Sequence, residues 1–310
     1  MNALTTEQIR GLIARGKLKD TLFQGLGVLF LTIGVIVIVL LVGDMIMRGS
    51  ERLSLDFFLN FASRRAGQAG ILSAWVGSLL VMLVTGLAAV PLGVAAGVYL
   101  EEYAKRNWVT EIIEINITNL AAVPSIVYGL LSLGIFVYQF GLGQSILSAG
   151  LTLALLILPI IIVATREAIR AIPSAIREAS MGCGATRWQT CRYHIIPYAM
   201  PGILTGVIIG LARAIGETAP IITIGALTFI AFLPPLPFTE VMPGVQAGLF
   251  EWVMSPFTVM PIQIFNWTSR PDPAFEVNAA AAGFVLMAMV LTMNGVAIWL
   301  RYKMRKNIKW

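Results

Sequence analysis

Six separate runs in this chain stay apolar for as long as a bilayer core is thick, and no other feature limits its fold as much. A hydrocarbon core of about 30 Å takes about 20 helical residues to cross, and inside it each backbone polar group must be satisfied within its own segment. Runs of that length fall at 21–47, 71–100, 112–140, 145–165, 198–232 and 279–300. They predict an all-α polytopic membrane protein with six transmembrane helices. Only 12% of the 310 residues are charged, about half the share found in soluble domains, and the mean hydropathy is +0.83. The first run is too long for the apolar part of a signal peptide and has no small-x-small site behind it, so it is expected to remain as a span.

Positive charge sets the orientation. The N-terminal tail, the turn after the second run, the loop 166–200 and the C-terminal tail hold four, two, five and five Lys and Arg, against five in the opposite loops. That imbalance puts both termini and the loop 166–200 in the cytoplasm. The net charge of +6 therefore reports topology and not nucleic-acid binding. Residues 1–20 read as an amphipathic tail forming a short helix on the inner leaflet, 21–300 as the six-span domain, and 301–310 as a basic cytoplasmic tail.

The outer loop 233–278 is rich in proline and aromatics, among them Pro237, Phe238, Pro243 and Trp267. Val245, Leu249, Trp252 and Val253 recur there at helical spacing and predict a short interfacial helix. The two cysteines, Cys183 and Cys191, lie on the cytoplasmic side, where thiols stay reduced. With His194 they fall one ligand short of a closed zinc site, so neither a metal nor a cofactor is expected.

The loop 166–200 has its own local structure. Ser174 is placed to cap a helix through Glu178 and Ala179, Gly182 and Gly184 end it, and Thr186 with Gln189 forms a capping box that starts a second helix toward Pro197. The product is a helix, a glycine turn and a helix facing the cytoplasm. Glu101, Glu102, Lys105 and Arg106 read as a solvated turn beside it. Within the spans, Pro124 breaks the third run and frees a backbone carbonyl, which brings Ser125 and Tyr128 forward as pathway candidates. Arg213 sits about 18 Å along the fifth run from Pro201 and Glu217 follows four residues later on the same helical face. A lone charge at that depth is expensive, so the pair is either a structural ion pair or an oxyanion site. In the second case Arg213 offers a planar fork of donors, Glu217 balances it, and Thr218 and Thr223 add hydroxyls.

No G-x-x-x-x-G-K-[ST], G-x-S-x-G, H-E-x-x-H or C-x-x-C pattern occurs, so ATP binding and hydrolytic catalysis are expected elsewhere. A membrane enzyme acting on lipid phosphate through Arg213 and Glu217 lacks a base or metal set. A regulatory scaffold with no transport role is the remaining alternative.

Glu178-Ala179-Ser180, Gly184 and His194-Ile195-Ile196-Pro197 resemble the Glu-Ala-Ala signature of ABC-importer permeases, with departures at Ser180, His194 and Ile196. Three further stretches resemble the PstA-type permeases of phosphate importers: Asn119 to Gly129, Leu211 to Pro220, and Pro91-Leu92-Gly93 leading to Tyr99-Leu100-Glu101-Glu102-Tyr103. The sister PstC-type permeases share the first two more loosely. The resemblance implies the type I importer permease fold in a bacterial inner membrane. It implies a homologous PstC-type permease, two PstB-type ATPases and an external PstS-type phosphate-binding protein as partners. Within this chain it implies ATPase coupling through Glu178, Ala179, Gly184 and Pro197, and passage of phosphate past Arg213 and Glu217. Sulfate, molybdate and phosphonate are the nearest alternative cargoes.

Overall fold

The computed structural model describes residues 6–105, 107–235, 240–242, 245–246 and 248–305. Five helices are long and apolar enough to cross a membrane, and a bent helix pair supplies a sixth crossing if its halves count as one span. Helix α1 (Thr6–Gly49) leads into a short outer helix α2 (Leu55–Leu59) and then α3 (Leu72–Val98), which ends in a π turn, Tyr99–Tyr103. The bent pair is α4 (Trp108–Leu120) and α5 (Ser125–Ser132), the latter continued by a π turn, Leu133–Gln139. Next come α6 (Ile146–Arg170), α7 (Ser174–Gly182) and α8 (Arg187–Thr190), the last continuing through the π turn Cys191–Ile195 into α9 (Ile196–Gly216). After α10 (Ala219–Ile224) a small antiparallel pair, β1 (Glu240–Met242) and β2 (Val245–Gln246), precedes α11 (Met260–Thr268) and α12 (Ala274–Arg305).

The core is a three-helix slab of α3, α6 and α9. Small residues let its backbones approach. A Cβ at Gly93 would stand 2.7 Å from Ile161, and one at Gly206 would collide with the Ala164 methyl group. Ile157, Ile161, Ile195 and Ile203 are fully or almost fully buried in this layer. Close approach of this kind replaces the hydrophobic drive that lipid does not supply between helices. A second apolar cluster lies toward the outer loops, where Trp267 of α11 is buried between Phe57 of α2 and Phe275 of α12, at ring-centroid distances of 6.0 and 6.4 Å.

Several expectations change. The amphipathic tail is not a separate short helix, because α1 runs unbroken for 44 residues from Thr6. The third run is two helices at 105°. The fifth run stops being helical at Gly216, 16 positions before its apolar stretch ends at 232. In the outer loop no interfacial helix spans 245–253: two of those residues are paired as β2, and a single 3-10 turn, Glu251–Met254, follows. Pro237, Phe238 and Pro243 of that loop, Arg106, and residues 306–310 of the basic tail lie outside the described residues.

Candidate translocation pathway and coupling face

Both breaks in the spans have the same chemical origin. Pro220 has no N–H to give to the carbonyl of Gly216, where α9 ends; Glu217 turns extended at ψ 120° and α10 begins two residues later. Pro124 likewise withholds a donor from the carbonyl of Leu120. The Tyr128 hydroxyl fills that vacancy, donating to the Leu120 oxygen at 2.8 Å. Tyr128 is buried and its proton is committed to holding the bend, whereas Ser125, the first residue of α5, is half-buried with no side-chain hydrogen bond among the described residues. The breaks also touch: Gly129 of α5 lies so close to Pro220 and Thr223 of α10 that no side chain fits there.

Arg213 occupies the last turn of α9, where the helix dipole favours a cation. Its Nε meets Glu217 Oε1 at 3.3 Å, but the two residues no longer share a continuous helix, because Glu217 is already past its end. The side chain of Arg213 is 39% exposed and its two terminal nitrogens have no partner among the described residues. Glu217 is more enclosed, at 18%, and lines a cavity of about 10 Å³ with Ser78, Val81, Leu153 and Val259. That space holds about one water and no tetrahedral oxyanion. The pathway candidates therefore face two ways: Arg213 is exposed, and Glu217 closes a seam behind it. Thr218 is half-buried with no partner for its hydroxyl among the described residues, and Thr223 donates to the Pro220 carbonyl at 2.8 Å.

Between α6 and α9, α7 and α8 form the helix-turn-helix read from the sequence. Gly184 takes φ +86°, and the bonds from Gly184 N to Met181 O and Ala185 N to Ser180 O complete a Schellman end. The Thr186–Gln189 capping box is present. Ser174 does not cap α7; Pro173 stands at that position and Ser174 is the first helical residue, because Pro173 at ψ 138° already sets the entry. Glu178, Ala179, Gly184 and Pro197 are all exposed. Beside them stand Met181, Trp188 and Tyr193, 45%, 58% and 64% exposed, which the sequence reading did not single out. Large apolar side chains exposed together on a loop outside the spans mark a contact surface.

Glu101 and Glu102 are not a solvated turn. Their side chains are only 13% and 15% exposed, and both are in ion pairs. Arg166, also read as part of an open basic loop, is buried at the end of α6, with charge contacts to Glu114 of α4 at 2.5 Å and Glu101 at 3.5 Å. Arg170 bonds Glu101 at 2.9 Å and lies 3.8 Å from Glu114. Arg177 of α7 gives two hydrogen bonds to one oxygen of Glu102, at 2.9 and 2.7 Å, and two more to the carbonyls of Ile172 and Ile169.

The sequence model described as "Binding-protein-dependent transport system inner membrane component" matches residues 89–308. The chain is 33% identical over 295 residues to the probable ABC transporter permease protein YqgI of Bacillus subtilis (strain 168), covering 94% of this chain and 98% of that one. It is 31% identical over 278 residues to the phosphate transport system permease protein PstA of Pasteurella multocida (strain Pm70), covering 90% and 92%. Among solved structures, a chain of a bacterial ABC transporter that imports the acidic polysaccharide alginate superposes with a TM-score of 0.60 at 14% identity, over 97% of this chain and 99% of that one. A chain of the inward-facing MetNI methionine ABC transporter gives 0.55 at 17%, over 74% and 93%.

Proposed function

The chain belongs to the binding-protein-dependent transport system inner membrane component family, and from that premise we propose that it is the PstA-type permease subunit of a phosphate importer. As a member of that family it is a multi-pass, non-catalytic membrane subunit with the type I importer permease fold, and ATP is hydrolysed on a separate ATPase. Relatives named as phosphate transport permeases support phosphate as the cargo. The observation that carries the reading is the guanidinium edge of Arg213, half-exposed and unpartnered among the described residues at the break of a span, with Glu217 beside it. Such a fork matches a phosphate oxygen pair, and a carboxylate at its Nε keeps the site from holding the anion too tightly to release it.

In this reading a PstC-type permease supplies the other half of the pathway, one of two PstB-type ATPases docks on the exposed face of Glu178, Ala179, Met181 and Trp188, and a PstS-type protein delivers phosphate from outside. Both termini and the loop 166–200 face the cytoplasm, as the positive-inside count requires. The test is ATP-driven uptake of radiolabelled phosphate by proteoliposomes holding the four-component complex, with sulfate and molybdate as competitors. Arg213→Ala and Glu217→Ala are each expected to lower uptake by at least about tenfold, the size of one lost charge-assisted contact. Unchanged uptake in both variants refutes the pathway assignment, and preferential uptake of sulfate or molybdate moves the chain to that cargo.

A further inference from the structure

The Tyr99–Tyr103 turn contributes nothing to the pathway or to the exposed docking face, yet its carboxylates are the ones most enclosed by arginines. Arg177 is the centre of this arrangement. Its guanidinium donates four hydrogen bonds, two to Glu102 in the turn that ends α3 and two to carbonyls around the end of α6. Its neighbour Glu178 points outward and is exposed, so one turn of α7 presents one side chain to a partner and the next to the membrane domain. Nothing else anchors α7 as firmly: no residue of that helix is fully buried, and Ile176 is its partly buried apolar contact with the core.

The covalent route from α7 to α9 is compliant by comparison. It passes through the left-handed Gly184, where the backbone can pivot, and reaches α8 across a single hydroxyl contact, Ser180 to Thr190 at 2.9 Å. The lateral route through Arg177 is a planar, multiply bonded fork with little rotamer freedom left. Resting on the reading of α7 as the ATPase-coupling helix, we infer that Glu102, acting through Arg177, is a positioning residue that makes α7, the cytoplasmic end of α3 and the end of α6 move as one body. Force received at Glu178 and Ala179 then enters the membrane through α3 and α6, and not through the next span in sequence.

The experiment uses the complete importer in lipid nanodiscs, with spin labels on the exposed native Cys183 and on Tyr99→Cys; Cys191 is buried and stays unlabelled. A single narrow distance distribution that is the same in nucleotide-free and ATP-trapped complexes is expected. Glu102→Gln, which keeps size and removes the charge, is expected to broaden that distribution and to lower phosphate carried per ATP by about tenfold, the loss of one hydrogen bond to a charged group. Glu102→Asp is expected to recover most of the coupling, which a purely structural role would not require. A shift of the wild-type distance between the two states overturns the inference, as does Glu102→Gln with unchanged phosphate per ATP. A cross-link from Ala179→Cys to the ATPase tests the underlying reading separately: if it fails to form, the coupling assignment falls and the positioning role with it, whereas a formed cross-link with a shifting distance rejects the positioning role alone.

Discussion

Arg166→Met tests whether the buried charges at the end of α6 are a balanced set. The guanidinium is 6% exposed and faces Glu114 at 2.5 Å and Glu101 at 3.5 Å. Removing one partner from a fully buried pair costs about 3–5 kcal/mol, because a charge is left uncompensated. Two features reduce that figure here. Glu101 keeps its bond to Arg170 at 2.9 Å, and Glu114 is 32% exposed and retains Arg170 at 3.8 Å. Water and Arg170 together screen part of the stranded charge, so the expected loss is about 2–3 kcal/mol, between the exposed and buried limits. Glu114→Gln alone leaves Arg166 only the longer contact to Glu101 and is expected to cost about 1–2 kcal/mol. In the double variant neither stranded charge remains, so its loss should fall short of the sum by about 1–2 kcal/mol. The measurement is unfolding of the purified permease in mixed micelles at rising dodecyl sulfate fraction, followed by tryptophan fluorescence, with all four members of the cycle compared. Additivity within about 0.5 kcal/mol would show that the two residues do not interact and would refute the balanced-set argument.

Two further outcomes follow from single positions. Tyr128→Phe keeps the buried ring and leaves the Leu120 carbonyl one donor short at the bend, so the permease should lose about 1–3 kcal/mol in the same titration; no change would mean that water or Val123 alone satisfies that oxygen. Gly184→Ala forces a Cβ into a backbone at φ +86°, which costs about 1–2 kcal/mol and should raise amide exchange locally in 180–190 while leaving α6 protected.

What the sequence could and could not show divides along physical lines. Hydrophobic length located the spans, because crossing a bilayer needs a minimum run of apolar residues whatever the tertiary contacts. It overran the fifth span because apolarity does not register the missing N–H of Pro220; residues 217–232 are as lipophilic as the helix before them, yet only Ala219–Ile224 resumes a helix. Local capping chemistry was equally legible at Thr186 and Gly184, where the partners lie within five residues. The Glu101 and Glu102 pairs were not, since their arginines stand 69 and 75 positions away and a charged turn looks solvated when read alone. The buried α11 escaped for another reason: at nine residues it is too short to register as a span, and Trp267 is covered only once Phe57 and Phe275 arrive from distant parts of the chain. At the pathway, the sequence paired Arg213 with Glu217 but could not show that the helix ends between them, nor that the Tyr128 hydroxyl is taken by Leu120.

The placement of the two breaks relative to the slab gives the coupling argument its direction. From Ile196 to Arg213 along α9 is about 26 Å at the helical rise, so the exposed α7–α8 face and the half-exposed arginine lie at opposite ends of one helix. That helix is bound along its length to α6, with Gly202 and Gly206 seated against Ala168 and Ala164. Packed interiors are stiff and transmit displacement, so α6 and α9 have little room to slide independently, and Arg177 grips the α6 end of that pair. Stiffness stops at Gly216. Beyond it α10 packs on α5 through Gly129, while its Ile221 stays in the slab's own apolar core. Arg213 is the last charge on the moving slab and Glu217 the first residue past its end. On the proposed reading, a small rotation at this break would change the 3.3 Å contact to Glu217 that competes with phosphate for the guanidinium.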